Sequence, residues 1–162
     1  MNRKTDETAP GDSLRTIRRI LAAVLVFGLT GTATELVLLR HYEDPWQLAP
    51  LLFIAAALVV LAWHGVRPSA ASVRLLQLTM TAFVLVSGAG LVLHYRGSLE
   101  FQLEVDPGLR GWPLFLKVVR AQAPPALAPG VMAQLGLIGL AFTFRHPART
   151  SSGSSTDSRS AI

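Results

Sequence analysis

The sequence predicts an all-α membrane protein, a four-transmembrane-helix bundle with a structured outer loop of roughly 30 residues between the third and fourth helices. Four long apolar blocks cover residues 17–39, 48–63, 73–93 and 127–144. Only 15% of the residues are charged against 51% hydrophobic, and the charges cluster between the blocks. Because a helix needs about 20 apolar residues to cross the hydrocarbon core and satisfies its own backbone groups there, each block is expected to span the membrane.

Polar tails flank the four blocks. Residues 1–13 and 147–162 are poor in apolar side chains, and the second of them is rich in serine. Such segments cannot bury enough apolar surface to offset the entropy of ordering, so both are expected to be disordered. The transmembrane domain is then residues 14–146.

The first block, residues 17–39, has two interpretations. A basic start, an apolar run and the small residues Gly31-Thr32-Ala33 are also the features of a signal peptide covering residues 1–33. However, the leading segment is long and contains three acids, and the apolar run resumes as far as residue 39. These two features favour an uncleaved first helix.

The connections between the blocks differ in length. Residues 40–47 and 64–72 are short, so they join antiparallel neighbouring helices. The outer segment 95–126 is much longer. Apolar and polar residues alternate within it over residues 100–105, which predicts a strand or an extended segment across the mouth of the bundle. Residues 114–120 then predict a short amphipathic helix in the headgroup region.

An internal similarity relates the second and fourth blocks. At an offset of 79 residues, seven identities occur in the 21 positions from 48 to 68, including Leu48-Ala49-Pro50 with Leu127-Ala128-Pro129. The first and third blocks also end alike, each with a His-Tyr pair. Shared membrane composition is one explanation. The other is a duplicated helical hairpin, with two quasi-repeated copies related by an axis along the membrane normal.

The basic residues indicate orientation. Ten Lys and Arg residues lie in the two tails and the second connection, whereas five lie in the outer connections. The positive-inside rule therefore predicts that both termini are cytoplasmic. Thirteen arginines against two lysines, with abundant Ala, Leu and Val, are typical of a GC-rich bacterial genome. A bacterial plasma membrane is the expected location.

Composition also excludes some functions. The net charge of +5 is distributed beside helix ends, so no nucleic-acid partner is expected. The absence of cysteine excludes disulfides, thiolate zinc sites and cysteine nucleophiles. No phosphate-binding glycine loop, nucleophile elbow or other catalytic signature occurs.

Glu35 is the one acid inside an apolar block. An intramembrane carboxylate is a functional-site candidate, as a ligand or a proton carrier. Glu35 lies four residues from the outer end of its block, on the order of 6 Å at the helical rise. It is therefore within reach of the interface, and a structural or snorkelling role is the alternative.

A candidate binding site gathers at the outer ends of the helices. His41 follows the first block and His94 closes the third, and both are expected to share a polar vestibule with Glu35, capped by the segment 100–106. The predicted binding residues are Glu35, His41, Glu43, Asp44, His94, Glu100 and Glu104. Two histidines with carboxylates can bind a divalent transition metal, and a histidine pair can bind haem. No fixed metal-binding spacing is present, and interfacial histidines are ordinary, so no cofactor is predicted.

Small residues predict where helices approach closely. They concentrate at residues 28–34 of the first block and 87–90 of the third, which predicts that these two helices cross there. Gly130, Gly136 and Gly139 in the fourth block form a second face of this kind.

These observations favour a non-enzymatic accessory or scaffold component, surrounded by the lipid bilayer and paired with a second copy or another membrane protein. One alternative is a small oligomeric cation or proton-coupled transporter or channel that uses Glu35 and the outer acids. A third is a membrane-embedded metal- or haem-binding protein. A line of polar residues at the midplane would favour transport, and an apolar interior would favour the accessory role.

Overall fold

The computed structural model describes residues 10–43, 45–120 and 127–149. Within these residues 87% are helical, and no strand is present. The helices are α1 Pro10–Leu38, α2 Pro45–Val66, α3 Ala70–Val105, α4 Gly111–Val119, α5 Leu127–Thr143 and a 3₁₀ turn Pro147–Arg149. Three of them, α1, α2 and α3, are long and apolar enough to cross a membrane. The all-helical fold with long apolar helices that could span a membrane is therefore confirmed, whereas the fourth crossing stays a prediction that rests on α5, which has only 17 residues.

The first helix begins earlier than predicted. Proline is tolerated in the first turn of a helix because its missing N–H would have no partner there, and α1 begins at Pro10. Asp12 lies in that first turn, where the helix dipole favours an acid, and it pairs with Arg15 one turn later. Residues 10–13 therefore belong to α1 rather than to a disordered tail. Residues 1–9 and 150–162 of the predicted tails lie outside the described residues.

A left-handed turn ends α1. Arg40 has φ 54°, the N–H of His41 donates to the carbonyl of Leu36 at 2.8 Å, and the N–H of Arg40 donates to Val37 at 3.0 Å. These two bonds form a Schellman motif, which satisfies the last carbonyls of the helix. The turn reverses the chain and leads into α2.

A capping box begins α3 directly after α2. The Ser69 hydroxyl accepts from the N–H of Ser72, and the Ser72 hydroxyl accepts from the N–H of Ser69. This reciprocal pair satisfies two N–H groups at the start of the helix. Pro68 precedes it, which keeps the connection short because proline does not continue the preceding helix.

The third helix is far longer than its apolar block. Its 36 residues extend about 54 Å, against about 30 Å for the hydrocarbon core. The stretch 100–105 is helical, so the predicted strand or extended segment is wrong. A helix satisfies its backbone groups without a partner, whereas a strand needs a neighbour, and no helix breaker occurs before Pro107.

The short helix predicted at residues 114–120 is present as α4, Gly111–Val119. Its aromatic rings stack, with Trp112 and Phe115 centroids 5.1 Å apart, and Phe115 lies 6.5 Å from Tyr95 of α3. Val118 is fully buried. The helix is therefore held against the part of α3 that follows its apolar block.

The fourth apolar helix separates α1 from α3. α5 packs against both, α2 also packs against both, and α1 and α3 do not pack directly against each other over the described residues. The predicted crossing of α1 and α3 is therefore wrong. Gly28 of α1 faces Leu135 of α5, and Gly90 of α3 faces Pro129 of α5. The small residues do permit close approach, but to α5 rather than to each other.

The interior of these helices is apolar through its middle. The buried core includes Leu25, Leu29, Ile54, Ala57, Met80, Phe83, Met132 and Leu135. The buried polar residues His64, Ser72 and Thr143 lie at one end, and Ser87 lies towards the other. α2 and α5 have equivalent neighbours, but they differ in length, with 22 and 17 residues. The hairpin duplication stays a prediction.

Candidate functional site: the outer cavity

A cavity of about 1080 Å³ lies between the outer ends of α1, α2 and α3. The Ser87 hydroxyl donates to the carbonyl of Pro129, and a Cβ on Gly90 would lie 3.5 Å from the Pro129 ring. From Gly90, α3 continues for another 15 residues to Val105, which is about 22 Å. The residues of α3 that line the cavity lie between Val86 and Gln102, on both sides of this contact.

The lining of this outer cavity is mostly apolar, with polar side chains at its deep end and more of them near its mouth. Apolar side chains on its walls include Leu36, Pro50, Phe53, Val86, Leu93, Phe101, Pro129 and Met132. The polar ones are Thr32, His41, Gln47, Ser87, His94, Ser98 and Gln102. None of the described lining residues is Asp, Glu, Lys or Arg. The described part of the lining is thus amphipathic and carries no formally charged side chain.

Two histidines meet at the mouth of the cavity. The ring centroids of His41 and His94 are 6.3 Å apart, with an angle of 16° between the ring planes. His41 is carried there by the Schellman turn at Arg40, and it is half-buried. His94 lies seven residues beyond Ser87, on the same face of α3. The structure therefore brings together the two predicted histidines.

Glu35 does not join this pair. Its side chain is exposed, and the neighbouring Leu36 faces the cavity instead. Successive helical residues differ by about 100° in direction, so these two neighbours face different surroundings. The predicted cluster of Glu35 with His41 and His94 is not formed. A binding role for Glu35 itself stays a prediction.

The other predicted acids also lie away from the lining. The N–H of Glu43 donates to the side-chain carbonyl of Gln47 at 3.3 Å, while the Glu43 side chain is exposed. Glu100 and Glu104 are exposed on α3. The segment 100–106 contributes Phe101 and Gln102 to the cavity instead of its acids, because it is helical rather than extended. Asp44 lies outside the described residues.

Metal binding finds no support in the described residues. They contain no group of three or more His, Asp and Glu side chains placed to hold a metal ion. The two histidines at the mouth are accompanied by the amides of Gln47 and Gln102 rather than by carboxylates. What this arrangement offers chemically is hydrogen bonding, because imidazole and amide groups both donate and accept.

A second polar cluster lies at the opposite end of the helices, away from the predicted site residues. His64 Nδ1 is hydrogen-bonded to the Ser72 hydroxyl at 2.8 Å. The His146 ring lies 4.8 Å from the His64 ring, and Phe142 packs against both. In the sequence, the one indication of this cluster is the capping-box pair Ser69 and Ser72, which follows His64. We call His64, Ser72, Phe142 and His146 the inner cluster.

The inner cluster joins the end of α5 to α1, α2 and α3. Arg18 of α1 donates to the carbonyls of Arg145 at 3.1 Å and Phe144 at 3.5 Å. Burial lowers the pKa of His146, and the adjacent His64 and Arg18 lower it further. A neutral His146 is therefore favoured at this junction.

Comparison with known proteins adds no family to this description. No protein-family model matches the chain, and neither a curated protein nor a solved structure shows significant similarity to it. The apolar interior and the outer cavity are therefore the features of the molecule that bear on its function.

Proposed function

We propose that this chain is a non-enzymatic accessory or scaffold component of a bacterial plasma membrane, with four transmembrane helices and both termini in the cytoplasm. The observation that carries this proposal is the apolar middle of the interior. Ser72 and Ser87 are separated by 15 residues of α3, about 22 Å, and the buried residues between them are Val73, Leu76, Met80 and Phe83. An ion or proton pathway requires polar groups or water along its length.

The outer surface of the helices supports residence in lipid. Phe27 is 80% exposed, and Val59, Leu78 and Leu85 are each 68–69% exposed. In water such a surface would favour aggregation, whereas hydrocarbon matches it. The lipid bilayer is therefore the first partner of this chain.

The position of α5 supports a fourth crossing. Its 17 residues extend about 25 Å, a few ångströms short of a typical hydrocarbon core. Its C-terminal end lies level with the end of α2, because His146 contacts His64. A short span is accommodated by local thinning of the bilayer.

Cysteine labelling tests the topology directly, because the chain contains no cysteine. Gly108→Cys lies between α3 and α4, Arg67→Cys lies between α2 and α3, and Ser155→Cys lies near the C-terminus. We expect an impermeant maleimide to label position 108 in intact spheroplasts, and the other two only after permeabilisation. Labelling of position 155 but not 67 from outside would mean that α5 does not cross.

The accessory role predicts a docking partner at the outer side. There α4 and the end of α3 expose aromatic side chains, with Trp112 at 67% and Phe101 at 60%. A photo-crosslinking amino acid at position 112 should yield one discrete membrane-protein adduct. The matched control is the same amino acid at Leu78, which is exposed within the apolar part of α3 and should yield none.

Reconstitution separates this role from transport. Purified protein in liposomes should produce no cation or proton flux above that of protein-free liposomes. A flux that Glu35→Gln abolishes would contradict the proposal and favour the transporter.

A further inference from the structure

We propose that the outer cavity binds an uncharged amphiphile, a molecule with a long hydrocarbon chain and a polar head that exchanges hydrogen bonds but carries no net charge. This inference rests on the proposed membrane topology, because that topology places the apolar part of the cavity within the outer half of the bilayer. The chemistry of the ligand follows from the lining.

The size of the cavity indicates a large ligand. Its volume of about 1080 Å³ lies just above the range of roughly 300–1,000 Å³ found for pockets that hold drug-sized molecules. A single ion would leave nearly all of this volume without contacts. A molecule with a long chain fills such a space.

The lower part of the cavity suits hydrocarbon. Leu36 of α1, Phe53 of α2 and Met132 of α5 converge there from three helices. Methionine adapts its shape to irregular apolar partners, which helps to accommodate a flexible chain. In the proposed topology this part lies within the outer half of the bilayer, so a chain can enter from the lipid.

The mouth suits a hydrogen-bonding head. His41 and His94 lie side by side, and Ser98 and Gln102 continue the same face of α3 outward by one turn and two turns. Hydroxyl, carbonyl and ester groups are matched by these side chains, which both donate and accept.

The charge of the lining selects against ionised heads. A phosphate or carboxylate is ordinarily held by Arg or Lys, and an ammonium buried beside aromatic side chains such as Trp46 and Phe101 still needs a carboxylate to offset its desolvation. None of the described lining residues is acidic, and none is Arg or Lys. The neighbouring Arg40 and Glu35 are exposed and contribute nothing to the walls.

Two matched probes test the inference on the full chain in lipid nanodiscs. One is a diazirine-bearing monoacylglycerol, which is uncharged, and the other is the diazirine-bearing fatty acid of the same chain length, which is anionic. We expect the monoacylglycerol to label cavity residues, mapped by mass spectrometry, and unlabelled monoacylglycerol to compete with it. The fatty acid should label these residues about tenfold less, which corresponds to roughly 1.4 kcal/mol of discrimination.

A matched pair of variants tests the location. Gly97 lines the cavity and Gly88 does not, both lie exposed on α3, and a Cβ on either would meet open space. Gly97→Trp should reduce labelling by the monoacylglycerol several-fold, whereas Gly88→Trp should leave it unchanged. The double variant His41→Phe with His94→Phe keeps two aromatic rings at the mouth but removes their hydrogen-bonding nitrogens. It should also reduce labelling by the monoacylglycerol.

Three outcomes would overturn the inference: equal or stronger labelling by the fatty acid, labelling confined to the outer surface, or equal labelling of the two tryptophan variants. Labelling of the three single-cysteine variants in spheroplasts, each in an otherwise wild-type chain, separates the two proposals. The expected topology without cavity labelling overturns the ligand site alone. A different topology overturns the proposed membrane arrangement.

Discussion

The Ser87 hydroxyl of α3 donates a hydrogen bond to the carbonyl oxygen of Pro129, in the first turn of α5. Both residues are buried, and the bond places the start of α5 against the middle of α3. Residues of α3 beyond Ser87, including His94, Ser98 and Gln102, line the cavity. This hydrogen bond therefore defines where α5 begins along α3, at the deep end of the candidate site.

Removing this hydroxyl should destabilise the α3–α5 contact modestly. Ser87→Ala is expected to lower the free energy of unfolding by roughly 0.5–1.5 kcal/mol, since a buried side-chain hydrogen bond is worth about that much. Denaturation by SDS in mixed micelles measures the change. Ser98→Ala, which removes a half-buried hydroxyl farther out on α3, is the control and should change stability less. Equal effects would indicate that the Pro129 contact contributes nothing.

Gly136 of α5 packs directly against the backbone of α3. A Cβ there would lie 2.8 Å from the backbone carbonyl oxygen of Met80 and 3.1 Å from the Cβ of Phe83. Because the backbone cannot move aside easily, Gly136→Ala should cost about 1–3 kcal/mol of stability, the usual penalty of overpacking. Thermal denaturation in detergent would show it.

Two further glycines serve as controls for that substitution. A Cβ on Gly139 would meet the flexible side chain of Met80, so Gly139→Ala should cost less than Gly136→Ala. A Cβ on Gly88 meets open space, so Gly88→Ala should be neutral or stabilise the helix by up to about 1 kcal/mol. A larger loss at position 139 than at 136 would contradict the packing described here.

The inner cluster should make stability depend on pH. Burial, with His64 and Arg18 nearby, lowers the pKa of His146 below its ordinary value of 6.5, so folding favours the neutral ring. The full stabilisation is present above pH 6.5, where His146 is neutral in both states, and it is lost as the pH falls through the folded pKa. We expect a lower denaturation midpoint at pH 5.5 than at pH 7.5.

The substitution His146→Phe isolates this effect, because it keeps an aromatic ring beside Phe142 and removes the titrating group. The difference in denaturation midpoint between the two pH values should shrink in this variant. His94→Phe, at the opposite end of the molecule, should retain the difference. A pH dependence that is the same in wild type and His146→Phe would exclude this residue as its source.

Glu35 is exposed and forms no side-chain hydrogen bond or ion pair with another described residue. Glu35→Gln should therefore change the free energy of unfolding by less than about 0.5 kcal/mol, as is usual for surface positions. Leu29→Ala, one of the fully buried positions on the same helix, should cost about 2–5 kcal/mol. Denaturation by SDS compares the two. A large loss with Glu35→Gln would point to a partner in the intact membrane.

Some of the candidate site could be predicted from local sequence. The shared His-Tyr pair after the first and third blocks predicted that His41 and His94 lie near each other, and their rings are indeed neighbours, because each follows an apolar helix that runs in the same direction. The position of Glu35 could not be predicted in this way. Its helix is apolar nearly all round, so periodicity does not reveal which side faces inward.

The sequence by itself determined that the chain forms long apolar helices, because hydrocarbon leaves a helix as the one local way to satisfy the backbone. It did not determine where α3 ends, since a helix continues past its apolar block until a breaker such as Pro107 stops it. Only the tertiary structure decided that α5 lies between α1 and α3 and begins at the level of Ser87. Small residues allow close approach to any neighbouring helix, so composition does not specify partners. The fit of Gly136 against Met80 and Phe83 does.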